Sequence, residues 1–228
     1  MPEEKKVTLL GRRAGELLAG MADIVDDLWG ESPATSVPRG AASQPITAAK
    51  AEFPPFTQLW KVADETVDWT DALSREKPSD GLTDPASWAL YHNYAQRVLR
   101  GDTDAYLAVI EATQPLGDLG AYAASFAVAA PSAEVLTASF QALPTYLNKP
   151  DAEARRYLAG MAVRVARDLF ALLPVTRVDV TALRGEDTLL TVGFDKAEML
   201  KVRFAFIDPV AFTVACGGVF AELGSCHG

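Results

Sequence analysis

The sequence predicts an α+β fold that is helix-rich, with an N-terminal helical region followed by a small antiparallel sheet packed on a long core helix. Three observations carry that reading. Wound at about 100° per residue, residues 151–175 place Leu158, Met161, Val165, Leu169 and Leu173 within an apolar arc of roughly 200°. Such an arc is wider than the stripe of a surface helix, so other elements must cover it from two sides. Residues 177–183 alternate Val178, Val180 and Ala182 against Asp179 and Thr181, Arg184-Gly185-Glu186-Asp187 turns, and 188–194 returns, which is the pattern of a hairpin. Residues 56–115 return repeatedly to helical spacing.

Composition bounds what the chain can be. Its 228 residues, 49% hydrophobic and 22% charged, suffice for a sizeable core and exclude a wholly disordered chain. A net charge of −9, from 21 Lys and Arg against 30 Asp and Glu, opposes a phosphate backbone or an anionic bilayer, so neither nucleic acid nor a membrane is expected as partner. Cys216 and Cys226 are too few for a disulfide framework, which makes the cytoplasm the expected compartment. The apolar run Val7–Leu10 is too short for a signal-peptide core and meets Arg12 and Arg13 at once, so secretion is not expected. No window offers the eighteen or so uninterrupted apolar residues of a membrane span.

In order, the chain divides into an N-terminal amphipathic helix at 1–29, a Pro/Gly/Ser-rich linker or loop at 30–55, and a single α+β domain at 56–228, helical to 115 and sheet plus core helix from 116. In the first part, Leu10, Leu17, Met21, Ile24, Val25 and Leu28 approximate one face, while Gly11, Gly15 and Gly20 weaken a helix by up to about 1 kcal/mol each. Pro33, Pro38, Pro45, Pro54 and Pro55 then block regular structure. Phe56, Leu59, Trp60, Ala63, Val67 and Leu73 predict a helix over 56–73, ended by a turn at 78–81. Asp84 is placed as N-cap with Pro85 at the first helical position, and Gly101 follows that helix. Asp102 caps the next, which Pro115 stops.

Residues 123–129 and 134–140 read as short β-type segments, with helix as the alternative because of their alanines. Asp195 followed by Glu198 is a capping-box-like start, and Asp208-Pro209 opens a last helix that ends at Gly217-Gly218.

The segments GDTDAYLAVIEATQPLGDL at 101–119, RVARDLFALLPV at 164–175 and VGFDKAEMLKVRFAFIDP at 192–209 resemble, in order and spacing, matching pieces of a family of uncharacterised bacterial proteins. The resemblance spans about residues 98–215 and implies one domain there: a short acidic helix, strands, a long helix with a leucine-rich end, a strand pair, and a final helix opening at Asp-Pro. It implies no activity. The chain departs from the family pattern at 141–156, where a longer basic run is expected, and it ends sooner.

Few residues suggest chemistry. Arg156, Arg164 and Arg167 fall on one narrow polar strip of the core helix with Glu153 and Gly160, and Asp168 stands at its edge. Guanidinium forks suit a phosphate or carboxylate, so these three form the candidate binding set; the plainer alternative pairs them with acids such as Asp168 or leaves them in water. His92 and His227 are the only histidines, which excludes a centre of several imidazoles, and Cys226-His227 would need further ligands. Asp179, Glu186, Asp187, Asp195 and Glu198 gather around the hairpin, without the acid and lysine spacing of a strand-borne nuclease site. No phosphate-loop, dinucleotide, zincin or nucleophile-elbow motif occurs.

The expectation is therefore no catalytic set, no metal and no cofactor. The favoured function is a cytoplasmic, non-enzymatic module that binds a protein partner or assembles with itself. The alternative is a hydrolase of a phosphate-bearing substrate, using the hairpin carboxylates and the arginine strip. A shared cleft for those acids and arginines separates the two.

Overall fold

The core helix forms where its apolar arc requires it, and the strand pair that follows it in the chain packs beside it. The structure, a computed structural model, describes residues 5–10, 55–78 and 84–222. In chain order these residues form β1 (Lys6–Leu10), α1 (Trp69–Ser74), α2 (Pro85–Leu99), α3 (Thr103–Thr113), β2 (Ala123–Ala129), β3 (Val135–Ala142) and α4 (Pro144–Leu147). They continue with α5 (Asp151–Leu172), β4 (Arg177–Arg184), β5 (Asp187–Asp195), α6 (Lys196–Met199), α7 (Pro209–Ala215) and β6 (Val219–Phe220). Short 3-10 turns lie at Phe56–Lys61, Gly117–Ala121 and Phe204–Phe206.

The six strands make one sheet in the order β1-β2-β3-β4-β5-β6. The fold is α+β as expected, but the sheet is mixed rather than antiparallel: β3 and β4 run parallel, pairing Val135 with Arg177 through Gln141 with Leu183. Parallel neighbours need a crossover, and α4 with α5 supplies it. β3 alternates half-buried and buried positions, and Leu136, Ala138, Phe140 and Ala142 enter the core. Val178, Val180 and Ala182 of β4 and Leu190, Val192 and Phe194 of β5 join them, and α5 packs against these strands. The two alanine-bearing segments before α4 are both strands, not helices.

At the N-terminus the expected helix is replaced over Lys6–Leu10 by β1, whose Val7, Thr8 and Leu9 pair with Val128, Ala127 and Phe126 of β2. Leu9 is buried there. The remainder of that expected helix, 11–29, and the linker up to 54 lie outside the described residues.

The helix expected over 56–73 is also corrected. Phe56–Lys61 is a 3-10 turn, residues 62–68 form no helix or strand, with Val62 and Asp68 extended, and only Trp69–Ser74 is α-helical, with Asp68 accepting from the Thr70 and Asp71 amides. Asp84 and Asp102 cap α2 and α3 as expected, and Asp208 caps α7. Asp195 makes no capping bond at α6 and reaches Arg177 instead, at 3.5 Å. Among the described residues no helix is long and apolar enough to cross a membrane.

Candidate functional site

The polar strip of α5 is a track for the segment at 60–69, not a surface facing water. From Tyr157 to Leu172 every residue of the helix is buried except the half-buried Arg167. The track begins at Gly160, where an added Cβ would stand 3.0 Å from the Trp60 ring, so the absent side chain is what lets the indole lie against the helix. Further along the helix, the Asp168 carboxylate accepts the Asp64 amide at 3.0 Å, and Arg167 Nη1 donates to the carbonyls of Trp60 at 2.6 Å and Val62 at 3.1 Å.

The last turn of α5 completes the match. Four terminal carbonyls of any α-helix lack intrahelical partners. Here Leu169 accepts from the Leu173 amide, Phe170 from Lys196 Nζ, Ala171 from the Val67 amide and Leu172 from Trp69 Nε1, at 2.9, 2.9, 2.9 and 2.6 Å. Val67, Trp69 and Lys196 thus take the place of solvent at this helix end.

The three candidate arginines part company. Arg156 is exposed, bonds Asp208 at 2.9 Å across to the start of α7, and lies over the Trp60 ring at 5.6 Å. Arg164, expected on an exposed strip, is only 3% exposed. Its Nε meets Asp168 at 2.5 Å, and its Nη2 meets Asp118 at 3.0 Å and Asp64 at 3.3 Å.

Burial disfavours the Arg164 cation, yet Asp168, Asp118 and Asp64 outweigh burial and hold its pKa above the usual value. Three carboxylates against one guanidinium leave excess negative charge around a buried pair, Arg164 and Asp168, with Asp64 and Asp118 half-exposed beside it. Burial, reinforced by the Asp64 charge, lifts Asp168 to about 7 against the pull of Arg164. Burial raises Asp64 and Asp118 as well.

Arg167 faces a different environment. It stacks on the Phe204 ring at 4.2 Å and, among the described residues, forms no ion pair. It opens onto a cleft of about 260 Å³ between the segment at 63–66 and the segment at 196–204. Arg167, Phe170 and Ala171 of α5 line it together with Met199, Phe204 and Leu200, the last 78% exposed. Lys196 enters from the side with Nζ on the carbonyls of Phe170, at 2.9 Å, and Leu173, at 3.3 Å, and burial lowers its pKa. Asp64 also lines the cleft, with its carboxylate on Arg164.

The hairpin acids do not join this cleft. Asp179 pairs with Arg177 at 2.9 Å, Asp187 with Arg184 at 3.6 Å and Glu198 with Lys201 at 2.7 Å, all exposed. Glu186 is exposed at the hairpin turn. His92 Nδ1 lies 2.7 Å from the Ala72 carbonyl, where its N–H donates and ties α2 to α1. Cys226 and His227 lie outside the described residues, and among the described ones no group of three His, Cys, Asp or Glu is placed to hold a metal ion.

Lys196, Phe204, Asp64 and Asp118 were not singled out by sequence reasoning. Lys196 reads there only as a residue beside a helix cap, and no local pattern marks the other three. Comparison with protein-family models, curated proteins and solved structures finds no match to this chain, so the chemistry of the cleft rests on its own geometry.

Proposed function

We propose that the chain is a non-enzymatic module that binds another polypeptide through the cleft at the C-terminal end of α5. One observation supports this above the others. Leu200 stands 78% exposed in the lining of a cleft that it shares with Phe170, Met199 and Phe204, and an apolar hollow with a few polar groups is the usual form of a recognition site. The phosphate-hydrolase alternative is less favoured, because Arg156 and Arg164 pair with Asp208 and Asp118 while Asp179 and Asp187 pair with Arg177 and Arg184 on the hairpin. We place the module in the cytoplasm, on the cysteine usage of the sequence.

The test is selection from a displayed peptide library on the immobilised full chain, with Leu200→Asp as the comparison. Leu200 is too exposed for the substitution to disturb the core. Sequences enriched on the wild type and lost on L200D support the reading. Equal recovery on both proteins contradicts it.

A further inference from the structure

The cleft carries an electrostatic feature that its apolar walls do not explain. A lysine ammonium has three donors and an arginine guanidinium five. Lys196 directs two of its three to the carbonyls of Phe170 and Leu173, and Arg167 directs Nη1 to those of Trp60 and Val62. Neither cation meets a carboxylate among the described residues, in a chain whose net charge is −9. Every other arginine on the polar strip of α5 has at least one acid. The acid that lines the same cleft, Asp64, is occupied by Arg164.

Both cations are also held against aromatic faces, Arg167 on Phe204 at 4.2 Å and Lys196 on Phe170 at 5.8 Å. Their remaining donors therefore sit beside apolar surface, where water competes poorly and a charged acceptor binds more strongly than in bulk solvent.

We infer that the cleft captures the C-terminal carboxylate of a partner polypeptide whose last side chain is apolar, with Arg167 and Lys196 on the carboxylate and the side chain on Phe170 and Met199. This rests on the polypeptide-binding reading above. The size agrees: about 260 Å³ is near the lower end of small-ligand sites and fits one terminal residue rather than a folded surface. Capture of a terminal carboxylate is a recurring peptide-recognition mode, built here from two side-chain cations rather than a nest of backbone amides.

The experiment uses the full chain, labelled with nitrogen-15, and two probes that differ only in the terminal group, an anionic carboxylate against a neutral amide: N-acetylphenylalanine and its primary amide. The acid is expected to shift amides at 63–66 and 196–204 saturably, and to bind at least about tenfold tighter than the amide, the usual gain from a charge-assisted hydrogen bond. Added salt should weaken the acid and leave the amide unchanged. Lys196→Met should lower the acid's affinity by about tenfold without altering the amide's. Equal binding of acid and amide to the wild type overturns the inference whatever the variant does, as does a saturable shift confined to other segments.

Repeating the comparison with a peptide from the library selection, C-terminally free against amidated, separates the two readings. If L200D-sensitive peptides bind equally in both forms, the carboxylate inference falls and the polypeptide reading stands. If no peptide distinguishes wild type from L200D while the free acid binds, the polypeptide reading falls and the site belongs to a small carboxylic acid.

Discussion

Arg164 and Arg167 sit one turn apart on the same helix and live in opposite electrostatic settings. Arg164 is sealed against Asp168, Asp118 and Asp64. Arg167 forms no ion pair among the described residues, although the Asp168 charge acts on it; it bonds two carbonyls, lies on an aromatic face and opens onto a cleft. The first is a cation outnumbered by acids, which fixes the segment at 62–68 to α5; the second is a cation short of acids, which is what a binding site requires. Position on a helical wheel does not separate them. What separates them is which other segments arrive at each point of the track.

The largest effect should come from the saturated side. Arg164→Met leaves three carboxylates facing one another with no cation, and breaking a buried pair from one side typically costs about 3–5 kcal/mol. Arg167→Met should cost less, roughly 1–3 kcal/mol, from two lost hydrogen bonds to carbonyls that are partly solvated. Urea denaturation of both variants compares them directly; an equal or reversed order would erase the contrast.

The excess of carboxylates also fixes a sign for pH. Asp168 titrates at about 7 in the folded protein, above the usual range near 4 of an unfolded chain. Between those values the native state therefore binds more protons, and this group's contribution to stability is fully present below the unfolded pKa and declines as pH rises toward about 7. Asp168→Asn should remove that slope. Measured by urea denaturation, the wild type should lose roughly 2–4 kcal/mol more than the variant from about pH 4 to about pH 7. Parallel pH profiles would mean that Arg164 keeps Asp168 ionised throughout.

Smaller still is the contribution of Trp69 at the helix end. Trp69→Phe keeps most of the ring and removes the N–H on the Leu172 carbonyl, which should cost about 1 kcal/mol in the same assay beyond any packing change. At the bottom of the scale, Arg156→Ala breaks an exposed pair with Asp208 and should cost at most about 1 kcal/mol. A loss of several kcal/mol would show that Arg156 anchors α7 rather than decorating it.

The legible parts of the fold are those whose causes are local. Asp84 with Pro85, Asp102, and Asp208 with Pro209 cap their helices through amides two or three residues on, and the apolar arc of α5 lies within one segment. The illegible parts depend on distant partners. Val62 to Asp68 read as helix from the spacing of Phe56, Leu59, Trp60, Ala63 and Val67, but the Asp64 amide takes a carboxylate 104 residues away, and Val67 takes the Ala171 carbonyl. Val7 to Leu10 become a strand because β2 offers its edge. The parallel pairing of β3 with β4 is decided by the path of α4 and α5 between them.

At the site, the three arginines could be placed on one strip from spacing alone, whereas their partners could not. Arg164 meets acids from three separate stretches of chain. Lys196 reaches α5 only because β5 delivers it to the helix end.

The contrast between the two arginines is read most directly from their own side-chain Nε–H resonances during a titration of the labelled full chain with N-acetylphenylalanine. The Arg167 signal should move saturably, while the Arg164 signal, held by Asp168 and 3% exposed, should stay in place and exchange slowly with water. Movement of Arg164, or an Arg167 signal indifferent to the acid, would contradict the division between a sealed cation and an available one.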